Sequence, residues 1–126
     1  MGRAGNKFGI TTDISSILLS DERITQLVGD NVFPIHAEEG TKGDFITYQR
    51  DGYFVERNKM GVHGQACKLF VSAVSDNYVR SVRLAELIHE ALDGKFTNPD
   101  MLIHLEDSTE DSVDGKFIQI LLFSIT

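Results

Sequence analysis

Apolar residues along the chain recur at two spacings, one helical and one strand-like. Ile14, Ile17 and Leu18, then Ile24, Leu27 and Val28, fall every three or four residues, which places them on one side of a helix. Ser20 with Asp21 and Glu22 behind it reads as an N-cap and an acidic first turn, so two short helices joined at Ser20 are expected, with Gly29 as the stop. A longer helix is predicted after Ser75 or Asp76 as cap. Val79, Val82, Ala85, Ile88 and Leu92 form its apolar stripe, Arg83, Glu86 and Glu90 its charged one, and Gly94 closes it.

The strand-like stretches alternate with period two. In residues 45–50, Phe45, Thr47 and Gln49 oppose Ile46, Tyr48 and Arg50, the pattern of a strand with one face on a core. In residues 66–74, Cys67, Leu69, Val71 and Ala73 lie on one side and Lys68, Phe70, Ser72 and Val74 on the other. Apolar residues on both sides mark a central strand. Residues 32–35 include Pro34, which cannot donate to a ladder, so they form an edge strand or an extended connection. Residues 101–106 and 116–125 read as two more strands, the last with Phe117, Leu121, Phe123 and Ile125 on one face. Residues 107–115 are the expected turn between them, signalled by Asp114-Gly115. Residues 36–44, with Gly40 and Gly43, are a loop. Residues 51–65, with three glycines, are either the outer part of a long hairpin or a long loop.

Helix, strands, long helix, strands is the order of an α+β fold: a mostly antiparallel sheet with an N-terminal helical segment and one long helix packed on it. Residues 1–11 read as a flexible N-terminal arm and 12–126 as one domain. At 126 residues one core suffices. Twelve basic against nineteen acidic residues, a net charge of −7, oppose attraction to a phosphate backbone, so nucleic-acid binding is not expected as the main role. No apolar run reaches the roughly 20 residues of a membrane span.

The chemistry on offer is sparse. His36, His63, His89 and His104 lack a second histidine or the cysteine at ligand spacing, so no metal is expected. Cys67 sits mid-strand beside Leu69 and Val71, the setting of a buried structural thiol rather than a nucleophile. Gly40-Thr41-Lys42-Gly43 lacks the spacing and the Lys-Ser/Thr ending of a phosphate loop. Glu106, Asp107, Glu110, Asp111 and Asp114 do not match a calcium loop and read as a solvated hairpin tip. No cofactor and no catalytic residue is assigned, and the expected role is contact with other proteins rather than catalysis.

One ordered set of segments carries a resemblance. Leu27-Val28-Gly29-Asp30 ends the opening helix; Val32-Phe33-Pro34 follows, then a loop into Phe45-Ile46-Thr47-Tyr48. Lys68-Leu69-Phe70-Val71-Ser72-Ala73, the helix over 76–92 and a closing hairpin ending in Phe123-Ser124-Ile125 complete it. Over residues 13–125 the chain resembles the phage tail-completion family, which includes the lambda-type tail terminator and siphophage tail-to-head joining proteins. That resemblance implies a subunit of a homo-oligomeric ring, usually of six, in the virion. Such a ring is assembled in the host cytoplasm and caps the tail tube at its head-proximal end. It implies the tail-tube protein and a head-side connector as partners.

A closing ring needs a heterologous contact in which a protruding element meets a complementary patch. Residues 51–65 are the candidate protrusion, with Tyr53, Phe54 and Met60 as anchors. Should Glu106, Asp107, Glu110, Asp111 and Asp114 line the pore, their charge would keep exiting DNA off the wall. Two other readings compete: a head-completion or connector protein contacting the portal side, and a small bacterial ligand-binding domain or enzyme, which would need a pocket of convergent polar groups.

Overall fold

The computed structural model of the chain describes residues 9–58, 61–97 and 100–126, with the side chains of residues 52–66 outside the description. Two short helices open it, α1 (Ile10–Ser20) and α2 (Glu22–Val28). The break between them is made by Asp21, whose extended backbone ends α1 and whose carboxylate accepts the N–H groups of Arg23 (2.9 Å) and Ile24 (3.4 Å). Asp21 therefore holds the N-cap role expected of Ser20; the Ser20 hydroxyl instead donates back to the Ser16 carbonyl at 2.7 Å. Among the described residues packing begins at Ile10, which is buried and lies within the segment read as an arm. Residues 1–8 lie outside the described residues.

Six strands follow: β1 (Val32–Pro34), β2 (Phe45–Asn58), β3 (Gly61–Ser75), β4 (Gly94–Phe96), β5 (Met101–Val113) and β6 (Lys116–Ile125), with α3 (Tyr78–Leu92) between β3 and β4. They form one curled sheet in the order β1-β2-β3-β6-β5-β4, antiparallel except for β1 beside β2. β3 is central and β1 lies at an edge, as their patterns predicted.

Of the two readings of residues 51–65, the long hairpin holds, because β2 and β3 pair in register out to Asn58 and Gly61. Three expectations are corrected. Residues 107–113 are strand rather than turn: β5 stays paired with β6 as far as Val113 and Lys116. Only Asp114 (φ 51°) and Gly115 (φ 77°) turn, the two left-handed residues of a type I′ hairpin. The cap of α3 is Asn77, whose side chain accepts the Arg80 N–H at 3.0 Å, since Ser75 and Asp76 are engaged elsewhere. The face α3 buries carries Ser81, Leu84, Leu87, Ile88 and Leu92, and Val79 is 73% exposed. The buried stripe is thus rotated toward the leucines, which offer more apolar area to the sheet than the valines do.

All three helices cover one face of the sheet. Ile46, Cys67, Leu69, Val71, Ala73, Ile103, Leu121, Phe123 and Ile125 from the strands form one cluster with Ile14, Leu18, Ile24, Leu84, Ile88 and Leu92 from the helices. Cys67 is fully buried within it, as its strand position led one to expect.

Candidate functional site

Three surface features survive as candidates, and each follows from strand register. The first is a ribbon. β6 ends opposite the base of the long hairpin, with Ile125 paired to Cys67. Beyond that point, among the described residues, β3 has only β2 beside it, from Phe54 opposite Ala66 to Asn58 opposite Gly61. Five residues of β2 and six of β3 carry this two-stranded extension about 17 Å past the sheet. Its register slips between Arg50 and Gly52, leaving Asp51 as a bulge at the base, and again between Glu56 and Arg57; bulges increase local twist and bend the strand. Tyr53 stands at the base of this ribbon and Phe54 on its first pair; Met60 falls outside the described residues.

The second is the sheet face that none of the described helices covers. Register sets its rows: Phe45, Val74, Ile118 and Asp111; then Phe33, Thr47, Ser72, Ile120 and Thr109; then Gln49, Phe70, Leu122 and Asp107. Phe33 and Phe45 meet edge-on with ring centroids 6.4 Å apart. Phe70, Ile118, Ile120 and Leu122 are half-buried and Val74 is buried, yet none belongs to the core cluster or packs on it. Strand spacing makes the patch about 19 Å across and roughly 17 Å along the strands.

The third is the acidic strand. The sheet divides the five acids rather than gathering them. A bulge between Leu105 and Asp107 resets the alternation of β5. Asp107 and Asp111 stand on the open face, each accepting the N–H of the next residue, at 2.9 and 2.7 Å. Neither has a cation within ion-pair distance among the described residues. Glu106 pairs with Lys68 at 2.9 Å, and the hydrogen bond from that ammonium holds its carboxyl below the usual range, against the opposing effect of desolvation. Glu110 faces the helices: it accepts the Tyr78 hydroxyl at 3.2 Å and the Gln119 amide at 3.3 Å, and Gln119 also donates to Ser81 at 3.3 Å. The Glu110 hydrogen bond pushes the Tyr78 phenol above its ordinary value, its negative charge adding to the effect. Tyr78 also meets Phe117 edge-on at 5.6 Å. Asp114 is in the turn.

Behind these surfaces sits one buried carboxylate. The Asp44 side chain is 5% exposed and accepts from Ser75 Oγ (2.9 Å), Arg80 Nε (3.0 Å) and a terminal Arg80 nitrogen (3.4 Å). That Arg80 nitrogen also reaches Asp76 at 2.8 Å. Asp44 raises the Arg80 guanidinium further above its already high value, first through the hydrogen bond and then through its charge. Its work is structural: it ties the start of β2, the end of β3 and the first turn of α3 together.

The cavities offer little chemistry. One of about 360 Å³ lies between α1 and α3 against Ser16, Ile17, Ser20, Asp21 and Ala91. Another, of about 400 Å³, is walled by Phe96, Met101, Leu102, Lys95, Asp100 and Thr126. Among the described residues no three His, Cys, Asp or Glu side chains are grouped as a metal ion would require, and no described helix is long and apolar enough to cross a membrane. The uncovered face escaped the sequence reading, although apolar residues on both sides of residues 66–74 were its signal.

No protein-family model and no curated protein matches the chain. Among solved structures it is similar to a chain from the virion of a native gene transfer agent particle. That likeness has 16% identity, covers 89% of each chain and has a TM-score of 0.72. It shows a shared fold across nearly the whole length.

Proposed function

We propose that the chain is a structural subunit of a phage or phage-like particle: a ring-forming tail terminator that caps the tail tube and joins it to the head-side connector. The observation that carries this reading is the likeness of nearly the whole fold to a virion chain of a gene transfer agent particle. The ribbon supports it, because an isolated two-stranded hairpin is marginal in water and is stabilised by contact with something else. A neighbouring subunit is the partner that a ring supplies. Within this reading Tyr53, Phe54 and Met60 serve as anchors in the subunit contact. Of the five acids, Glu106 is held by Lys68 and Glu110 by Tyr78 and Gln119, which leaves Asp107, Asp111 and Asp114 for an electrostatic role.

The test is the assembled mass in solution, by light scattering at rising concentration, with negative-stain images of the protein alone and mixed with purified tail tubes. Closed rings, or density capping one end of the tubes, are the expected result. A strict monomer that caps no tube refutes the proposal, and binding to portal complexes instead of tubes moves the protein to the head side.

A further inference from the structure

We infer that the helix-free face of the sheet is the receptor for the β2–β3 ribbon of a second copy of this chain, a head-to-tail contact that rests on the ring reading above. Three observations converge on a second copy as occupant. The first is size: a ribbon about 17 Å long and two strands wide, on the order of 10 Å, fits within a patch about 19 Å by roughly 17 Å.

The second is that both halves are left incomplete in one molecule. Among the described residues the ribbon has no strand beside it except its own pair. The face keeps Phe33, Phe45, Phe70, Val74, Ile118, Ile120 and Leu122 out of the core cluster. Such a patch falls in the size range where uncovered apolar surface marks a contact site. The third is charge. The β5 side of the face carries Asp107 and Asp111 without a cation among the described residues, and the sequence of residues 54–66 holds Arg57 and Lys59 against the single acid Glu56.

The donor and acceptor surfaces are different parts of the molecule, so the contact is heterologous and each subunit uses both. One such contact lies at the small end of specific interfaces. Assembly therefore depends on concentration and gains its strength from closure.

Three purified variants test this. In the first, residues 55–65 are replaced by Asn-Gly, a two-residue turn between the paired Phe54 and Ala66, which removes the ribbon beyond its first pair. In the second, Ile120→Lys places a charge in the centre of the acceptor. In the third, Thr109→Arg fills the acceptor's rim without removing any apolar contact, so that a folding defect in the second is distinguishable. Each is expected to keep the parent's far-UV circular dichroism and to need roughly tenfold or more protein to assemble, the factor given by about 1.4 kcal/mol of lost contact energy.

The deciding sample is an equimolar mixture of the ribbon-shortened chain and Ile120→Lys. Each retains one intact half, so the mixture forms a one-to-one heterodimer and stops there. If the parent assembles but the shortened chain assembles equally well, or the mixture remains monomeric, the surfaces are wrong while the ring reading stands. A parent that never assembles, alone or on tail tubes, overturns both.

Discussion

Replacing Arg80 with alanine leaves the Asp44 carboxylate, 5% exposed, with the Ser75 hydroxyl as its remaining side-chain donor at 2.9 Å. Stripping one partner from a fully buried ion pair costs about 3–5 kcal/mol. Here the guanidinium is 48% exposed, so water already weakens the pair, and about 2 kcal/mol is expected for Arg80→Ala. Asp44→Ala removes the charge together with its need for a partner. Arg80 then keeps Asp76, at 2.8 Å, and solvent, and the loss is about 1–2 kcal/mol, mainly the hydrogen bonds from Ser75 and Arg80. The double variant should cost little more than Asp44→Ala alone, because the penalty of an unpaired carboxylate disappears with the carboxylate. Urea denaturation at constant slope reads all three, and at this length each kcal/mol moves the thermal midpoint by about 3–5 °C. If Arg80→Ala stays within about 0.5 kcal/mol of the parent, as surface changes do, or if the two losses simply add, Asp44 is not held by Arg80.

Three further outcomes are expected. Ile35 has φ 68° and is 63% exposed; a β-branched residue in left-handed backbone is strained by about 1–2 kcal/mol, so Ile35→Gly should raise the thermal midpoint, and a clear fall would show that the side chain packs on something. Gly115 has φ 77° with no atom within 4 Å of an added Cβ, so Gly115→Ala should cost about 1 kcal/mol through backbone conformation alone; a neutral result would mean the turn changes type. The Tyr78 phenol is raised by Glu110, so its contribution is present below the ordinary tyrosine range and is lost as pH rises through the raised value. In a carbon-13 titration of the tyrosine ring, Glu110→Gln should bring the Tyr78 midpoint down, and an unmoved curve would break the Tyr78–Glu110 link.

Period-two alternation carried the sequence reading furthest where a strand has a face in the core. Residues 45–50, 66–74 and 116–125 could be read because Ile46, Leu69, Val71, Leu121 and Phe123 repeat at that spacing and end up buried together. Residues 107–113 could not, because their strand is dictated by β6. Register with Leu122 through Phe117 extends the ladder, while the strand's own side chains are Asp, Ser, Thr and Glu, whose composition alone signals a loop. The stripe of α3 was misplaced for a related reason. Val79, Val82, Ala85, Ile88 and Leu92 satisfy helical spacing, but so do Ser81, Leu84, Ile88 and Leu92, and only the sheet decides between them.

The acidic strand also bears on how two copies can meet. β4 covers only Met101 to Ile103, so the rest of β5, from Leu105 to Val113, is a free edge among the described residues. An uncovered edge invites pairing with another chain's strand, and charges along it are a common means of preventing that. Glu106, Asp107, Glu110 and Asp111 stand along this one, and Glu110 is further tied down by Tyr78 and Gln119. Extending the sheet edge to edge would bring a strand against that row, with Asp107 and Asp111 lacking cations. Contact through the face meets no such obstacle, because its centre is Phe70, Ile120 and Leu122 and its acids lie at the rim. The geometry that makes residues 106–111 poor partners for a strand is therefore the same geometry that leaves the neighbouring apolar rows as the more favourable place for a second copy to bind.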